Sequence, residues 1–520
     1  MPAPTDSPNN PPEQTAVGKV WLVGAGPGDP GLITVRGAQL LAQADLVLHD
    51  GLVNPLLLKL AKGPCERTAR IRRTGQSIVP QELINTRLIH EARLGKQVVR
   101  LKGGDPYVFG RGSEEAAALH NAGIPFEVVP GITAATAAAV YAGFSCTHRQ
   151  LASAVALITA HEDPEREESR LDFNALAHFP GTLVFYMALA RLQPVCSQLI
   201  HAGMNPNTPA AVVSHASLPS QRVIQSTLQD LPELVATANL RPPSLLFVGD
   251  CVLQHPQLNW FEQLPLFGLA IAIARPEEQA AENAQLVTQL GGEPLLMPLL
   301  EIQPVDDSDT HHIHHILSQL QRFKWLIWTS ANGVAEFFRH LNLAGHDARA
   351  LHGLKLACVG LATAQKLSQF GLTADLVPPQ SNAESLASEL IRLAPQQPML
   401  WARASRARDV LPTLLQQADI QLEQLVVYKN HDAQTLPTDI LERLRNHSIH
   451  WITLTSPASA RKLAELLHSA NLTPPALAAK IASISPITTT AAQSAGLHVH
   501  AEALTPGWPQ LLQAIANARN

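Results

Sequence analysis

Arg100 to Glu115 reads RLKGGDPYVFGRGSEE. The apolar run through Val98, Val99 and Leu101 has the character of a buried strand, and it stops at two glycines, an Asp-Pro and a third glycine before a helix expected from about Ser113. A loop of this kind at the carboxyl end of a strand is where ligands sit in open α/β sheets, because glycines let backbone N–H groups approach closely. Lys102, Asp105, Arg111, Glu114 and Glu115 crowd into it, more charge than a plain connector requires. A solvated turn is the plainer explanation of an isolated GGD.

Outward from that loop, Lys19 to Gly24 (KVWLVG) forms a short apolar run ending in GAGPGDPG. The spacing of Gly24, Gly26 and Gly28 departs from the GxGxxG of a dinucleotide site, and Pro30 delays the helix to about Thr34, whose hydroxyl is placed to cap it. Ala44 to His49 reads as the next strand, with Asp50 at its end as turn former, ribose ligand or general base. RTARIRRTGQ then gathers Arg67, Arg70, Arg72 and Arg73, either a solvated basic loop or a set of forks for carboxylates. Phe126 to Pro130 is a further strand, followed by the Ala-rich helix of PGITAATAAAVYAG and by CTHRQ, with His148 and Arg149. Ala154 to Thr159, TLVFYMALARL, PAAVVSHASLPSQRVIQSTL and PPSLLFVGDCV continue as strands alternating with helices, up to a Pro-containing linker, EQLPLFG.

A chain of 520 residues exceeds one core, so roughly three or four compact units are expected. No apolar run approaches the roughly 20 residues of a membrane span. The opening MPAPTDSPNNPPEQT has neither a basic region nor an apolar stretch and reads as a disordered Pro-rich tail over 1–17, which with the rest points to the cytoplasm. The five cysteines have no CxxC spacing, consistent with reduced thiols, and a net charge of -5 argues against nucleic acid as a partner.

VGAGPGDPGLITVRG, HDGLVNP, RLKGGDPYVFGRGSEE, VVPGITAA, CTHR, TLVFYM and QRVIQSTL, in this order, resemble the uroporphyrinogen-III C-methyltransferases of the tetrapyrrole methylase family over residues 18–260. The resemblance implies two α/β subdomains, about 18–130 and 131–260, with a cleft between them, S-adenosylmethionine as methyl donor, no metal, a homodimer through this half, and two methylations of uroporphyrinogen III, at C2 and C7, giving precorrin-2 for siroheme or cobalamin. It places Pro27, Gly103, Gly104, Asp105, Val108, Thr133, Ala134, Met187 and Ala216 at the cofactor, Asp50 and Arg72 as the acid/base pair, with Arg111 as a further catalytic candidate, and Glu114 and Arg149 on the substrate side. Arg72 stands where some members carry Lys, and since a guanidinium hardly deprotonates it fits carboxylate binding or electrostatic stabilisation. Thr159–His161 reads TAH for the usual TGH, Ala188 follows the Met where Gly is usual, and Ala216 replaces the Gly of some members.

After a linker at 261–268 the pattern restarts at Leu269 as βαβ: LAIAIARP, an amphipathic helix closed by glycines, and EPLLMPLLEI as one strand. His311, His312, His314 and His315 could bind a metal at helical spacing, but no acid or Cys completes a set, and a solvated helix is expected. WLIWTSANGVAEFF from Trp325 recurs as WITLTSPASARKLA from Trp451, and GLATAQKLSQFGL from Gly360 as SPITTTAAQSAGL from Ser485, which implies two similar lobes. Thr329, Ser330, Thr363, Ser456 and Thr488 would face a cleft between them as anion ligands, or each would simply cap a helix.

ARPEEQAAENAQLVTQLGGEPLLMPLLEI, TSANGV, VVYKN, TSPASA and SPIT resemble the uroporphyrinogen-III synthase family over 269–520. That implies two flavodoxin-like lobes joined by a two-stranded connector, lobe A at about 269–303 plus 432–520 and lobe B at about 304–431. Ser485 replaces the usual Gly before Pro486. The implied reaction closes linear hydroxymethylbilane with inversion of its last pyrrole: acid-assisted loss of the hydroxyl to an azafulvene, a spiro intermediate, then ring closure, without a cofactor. Tyr428 is the candidate for aiding hydroxyl departure, with Arg275, Arg403, Arg406 and Arg408 as carboxylate partners. A bifunctional enzyme is thus expected. The competing readings are a methylase of another tetrapyrrole or of RNA, a carboxyl half that only binds or senses tetrapyrroles, and, on the glycine spacing, an NAD oxidoreductase.

Overall fold

The computed structural model describes residues 17–68, 80–160, 171–275, 277–393, 397–407, 409–472 and 477–519. Arg70, Arg72, Arg73, His161, Arg408 and nearly all of the Pro-rich stretch lie outside them. The chain divides into two compact units, one running to Ile271 and taking in Gln285–Pro294, the other made of Ala272–Ala284 and Leu295–Asn520.

The first unit carries two five-stranded sheets. In the first, β1 (Lys19–Gly24), β2 (Leu46–Asp50), β3 (Cys65–Thr68), β4 (Gln97–Lys102) and β5 (Phe126–Val129) lie in the order β3-β2-β4-β1-β5, all parallel. Alternate residues feed two cores, Val20, Leu22, Leu48 and Val98 on one side and Val23, Val47, Val99 and Leu101 on the other. Burial on both faces explains why these strands are mostly apolar, with Arg100 in β4 a buried exception. Thr34 caps the helix Val35–Leu41 by accepting the Gly37 N–H at 3.0 Å, as the sequence predicts. The helix after the central loop is Gly112–Asn121.

In the second sheet, β6 (Val155–Thr159), β7 (Thr182–Tyr186), β8 (Pro209–Ser214), β9 (Arg222–Thr227) and β10 (Ser244–Val248) lie in the order β6-β7-β10-β8-β9. Only β6 and β7 run parallel; β8 and β9 form an antiparallel hairpin, where strands alternating with helices are expected from sequence. The stretch 261–268, expected as a linker, is packed: Phe261 is 4% exposed against Tyr141, Trp260 and Phe267, and Leu266 is fully buried.

The remaining strands are β11 (Ala270–Ile273), β12 (Glu293–Leu296), β13 (Leu300–Gln303), β14 (Trp325–Trp328), β15 (Lys355–Cys358), β16 (Met399–Ala404), β17 (Leu422–Asp432), β18 (Trp451–Leu454), β19 (Lys480–Ser483) and β20 (Ala501–Glu502). They make two sheets, β12-β11-β18-β19-β20 and β13-β17-β16-β14-β15, so the opening βαβ joins the carboxyl-terminal strands. EPLLMPLLEI, read as one strand, is two strands in two sheets, broken at Met297-Pro298 because proline has no N–H for a ladder. β13 pairs antiparallel with the far end of β17, so residues 300–303, assigned to lobe A from sequence, sit in the sheet of lobe B.

His311, His312 and His315 are exposed on the helix Asp307–Leu317, and among the described residues no group of three or more His, Cys, Asp or Glu is placed to hold a metal ion. His340, only 1% exposed, is different: burial, reinforced by Arg339 beside it, holds its imidazole below the ordinary value. The unfolded chain then binds the proton more tightly than the folded one, so this group's contribution is complete above about pH 6.5 and is lost as pH falls towards the lowered folded value. The unfolding midpoint of the second unit is expected to drop across that window in thermal melts, and less steeply in His340→Gln. A slope unchanged by the substitution would refute the assignment.

Candidate functional site

Three strand ends of the first sheet meet where the sequence places a ligand. Gly26 and Gly104 exchange backbone hydrogen bonds, Gly26 N–H to Gly104 O at 3.2 Å and Gly104 N–H to Gly26 O at 2.8 Å. The Asp105 carboxylate accepts the Tyr107 N–H at 2.8 Å and the Gly131 N–H at 3.0 Å, so this acid braces the loop after β4 against the loop after β5. Gly104 has φ +69°, and a Cβ there would stand 3.8 Å from Ala134 N and 4.0 Å from Thr133 Cα. A Cβ on Gly103 would meet only Leu52, at 3.5 Å, which leaves that stretch of backbone open on one side.

The second sheet closes on these loops. Asp29 N–H donates to Ser217 Oγ at 3.1 Å, and Gly28 lies against Ala216 and Leu218 of the β8–β9 turn, which sets Pro27 beside it. Thr133 Oγ1 is 2.6 Å from Tyr186 Oη, which also accepts the Ala135 N–H at the start of the helix Ala134–Ala142. Val108, Ala134 and Ala216 pack on one cluster with Tyr186. Met187 is 49% exposed, so a large apolar side chain is presented at the end of β7. The expected cofactor residues are therefore brought together.

Tyr186 and Phe109, whose rings are 4.8 Å apart, were not singled out from sequence. Phe109, Arg111, Met187, His215 and Ser217 all adopt φ between +50° and +62°, a conformation uncommon outside glycine and concentrated here in the loops that meet. Their signal in sequence was only adjacency to the glycine motifs.

The charges of the central loop separate into two sets. Lys102 and Glu115 are not in the loop's open face but in a buried network. Glu115 takes Arg100 Nε at 3.2 Å, Lys102 Nζ at 2.9 Å and Gln81 Nε2 at 3.0 Å, and Arg100 also pairs with Asp50. Arg100 and Glu115 are fully buried and Asp50 is 21% exposed, so Asp50 reaches the surface from a rigid, paired base. Desolvation pushes the Lys102 ammonium down, whereas for Arg100 the same burial is outweighed by the two carboxylates, which raise it. Arg111 and Glu114 form an ion pair half open to solvent, and Arg149 is exposed.

In the second unit a cavity of about 270 Å³ opens between the two sheets, with Arg275, Asn332, Tyr428, Asn430, Thr455 and Ser456 among its walls. The register of β16 against β17 slips between Arg403 and Ala404, which face Val426 and Tyr428. A bulge of this kind re-aims a side chain, and here it turns Tyr428 to the cavity. Tyr428 Oη is 3.2 Å from Ser330 Oγ, and burial raises the phenol above its ordinary value. Arg275 makes no ion pair among the described residues: Nε meets Thr455 Oγ1 at 3.3 Å and the guanidinium lies 5.9 Å from the Trp508 ring. Burial lowers its pKa, so a carboxylate arriving there would relieve a desolvated charge.

Of the other residues expected at this cleft, Ser456 lines it while capping the helix Pro457–Ser469. Thr363 and Thr488 are 4% and 1% exposed and so serve the interior of the lobes, and the half-buried Thr329 accepts Trp401 Nε1–H at 3.0 Å. Arg403 stacks on Trp401 and donates to the carbonyls of Ala404 and Ala407, and Arg406 pairs with Asp432. Both are occupied within the fold. Asn332 and Asn430 were missed, although TSANGV and VVYKN contain them.

Fold and clefts define a fusion of two α/β enzymes, one with a glycine-walled junction between two sheets and one with a phenol and a half-buried guanidinium between two lobes. Residues 19–232 match the family model for tetrapyrrole (corrin/porphyrin) methylases, and 281–513 that for uroporphyrinogen-III synthase HemD. A porphyrin biosynthesis protein HemD of Ruminiclostridium josui is 35% identical over 85% of this chain and 87% of its own length. A uroporphyrinogen-III C-methyltransferase of Bacillus subtilis is 37% identical over 70% of this chain and 74% of its own. A crystal structure of uroporphyrin-III-C-methyltransferase from Thermus thermophilus, 42% identical, covers 47% of this chain and 97% of that one, with a TM-score of 0.39. The chain belongs to the tetrapyrrole methylase family in its first half and to the uroporphyrinogen-III synthase family in its second, and is a bifunctional enzyme of tetrapyrrole biosynthesis.

Proposed function

We propose that the second half closes hydroxymethylbilane to uroporphyrinogen III and that the first half methylates this product at C2 and C7, giving precorrin-2 for siroheme or cobalamin. The observation that carries the reading is the pairing, on one chain, of a cavity walled by Tyr428 and by Arg275, which makes no ion pair among the described residues, with a glycine junction open at Gly103. In the first half Gly103, Gly104, Thr133, Ala134, Met187 and Ala216 would hold S-adenosylmethionine, and their open backbone and exposed Met187 fit a bulky, partly apolar group. When bound, that group supplies an electrophilic methyl. The chain's part is alignment and charge: Asp50, fixed by Arg100, stands as an anion near the positive charge that builds on the pyrrole, and Arg111 and Arg149 supply cations to the substrate's carboxylates. In the second half Tyr428 protonates the departing hydroxyl and Arg275 anchors a carboxylate.

A homodimer through the first half is supported by β6, an edge strand whose Val155 and Leu157 are 39% and 38% exposed, with Leu151 beside it at 42%. A cytoplasmic setting is supported by the five free thiols. No helix among the described residues is long and apolar enough to cross a membrane.

The test supplies full-length protein with hydroxymethylbilane and methyl-labelled S-adenosylmethionine and separates the products. Doubly labelled precorrin-2 is expected. Formation of the type I ring alone, or labelling of RNA in place of uroporphyrinogen III, would overturn the reading.

A further inference from the structure

Ser330 follows β14 with extended backbone and caps the helix Ala331–Leu343, its Oγ accepting the Gly333 N–H at 2.9 Å. The same oxygen is 3.2 Å from Tyr428 Oη. A serine hydroxyl has one proton and two lone pairs. With one lone pair held by an N–H at the positive end of a helix, its proton is best given to the phenol oxygen, and the tyrosine keeps its own proton for the cavity. The equivalent cap of the other lobe, Ser456, is bonded instead to Ser459, so the link to a tyrosine belongs to one copy of the repeat.

We propose that Ser330 is a positioning residue for Tyr428, aiming the phenol proton into the cavity and donating to the phenol oxygen as that proton departs. This rests on Tyr428 being the proton donor in the proposed cyclisation. In that step the C–O bond of the hydroxymethyl group breaks with its electron pair on oxygen, the pyrrole nitrogen pair fills the new double bond, and the phenol proton completes a water molecule. The phenolate recovers a proton from the ring carbon that rearomatises on closure. Through this step the serine hydroxyl, polarised by the helix end, is the group that meets the developing negative charge. The other charged or titratable groups around Tyr428 are Glu336 on the same helix, Arg275 across the cavity, His340 behind Val427, and Lys429, which is engaged by Asp306 and Asp309.

The chain has four tyrosines, so ring-labelled protein gives four phenol resonances, and Tyr428→Phe assigns one of them. Ser330→Ala is expected to move the Tyr428 titration to higher pH, to lower kcat for hydroxymethylbilane by about tenfold or more with little change in KM, and to be restored by Ser330→Thr. In a Tyr428→Phe background Ser330→Ala is expected to cost nothing further in rate. A Tyr428 titration unmoved by Ser330→Ala, or an equal loss of rate in both backgrounds, would overturn the proposal and leave Ser330 as a helix cap. Full cyclisation by Tyr428→Phe would instead remove the acid role of the tyrosine, while the titration still reads whether the two hydroxyls are coupled.

Discussion

Tyr428→Phe is expected to lower enzymatic formation of uroporphyrinogen III by about 10²-fold or more, the usual worth of a positioned general acid. The unreacted bilane then closes without the enzyme to the type I ring, so the ratio of type III to type I product is the sensitive readout. Loss of one oxygen leaves the ring's packing in place, and the phenol sits on a strand whose interior neighbours, Leu425 and Val427, are fully buried. Stability is therefore expected to change little, and methylation of uroporphyrinogen III supplied directly is expected to continue. A type III to type I ratio equal to that of the unmodified protein would remove Tyr428 from the reaction.

The second large effect is expected at Gly131. A Cβ there would stand 2.3 Å from Gly104 O and 2.8 Å from Gly24 Cα, distances that only displacement of backbone can relieve. Gly24 is in the same position, 2.5 Å from Gly131 Cα, so the three strand ends touch with no room for a side chain on either glycine. Gly131→Ala is expected to cost about 1–3 kcal/mol in stability, as overpacking of a close-packed site does. It is also expected to weaken S-adenosylmethionine binding by about 10²-fold, because the loop after β4 must move. Gly123→Ala is the comparison, since φ there is +69° and no atom lies within 4 Å, so only the backbone conformation is penalised. Calorimetric titration with S-adenosylmethionine and thermal unfolding read the two effects, and near-native affinity in Gly131→Ala would show that the junction does not shape the cofactor site.

Much of this architecture is local and was legible in the chain. The apolar runs at Lys19–Gly24 and Gln97–Lys102 become neighbouring central strands because both of their faces are buried, so Val20, Leu22, Val23, Val98, Val99 and Leu101 are apolar on either side, with Arg100 and Lys102 as the buried exceptions. The repeat of Trp325 and Trp451 becomes β14 and β18, each followed by an extended serine and a thirteen-residue helix, since a strand, a capping hydroxyl and an amphipathic stretch are short-range features. The charges were not legible in the same way. Arg100, Lys102, Glu114 and Glu115 look alike as letters, yet Glu115 lies under the sheet end against Arg100 and Lys102 while Glu114 pairs with Arg111 at the surface. One step along a helix turns a side chain by about 100°, and only the packing of Gly112–Asn121 on its neighbours decides which of the two faces inward. Of the threonines expected at the cleft, Thr363 and Thr488 are buried inside the lobes, and Thr329 is half-buried with its hydroxyl accepting Trp401 Nε1–H.

By itself the sequence determined the glycine loops at strand ends and the duplicated strand and helix units, because each is a matter of residue type and short-range spacing, while the resemblance of its motifs to two families implied the fusion of two enzymes and Tyr428 as a candidate acid. The tertiary structure alone decided that Asp105 braces a loop, that Asp50 is paired through Arg100 to a buried glutamate, and that a slipped register turns Tyr428 towards the cavity beside Ser330. Those outcomes depend on which distant segments come into contact, and the free energy of a buried charge or a bulged strand is set by neighbours that lie far along the chain.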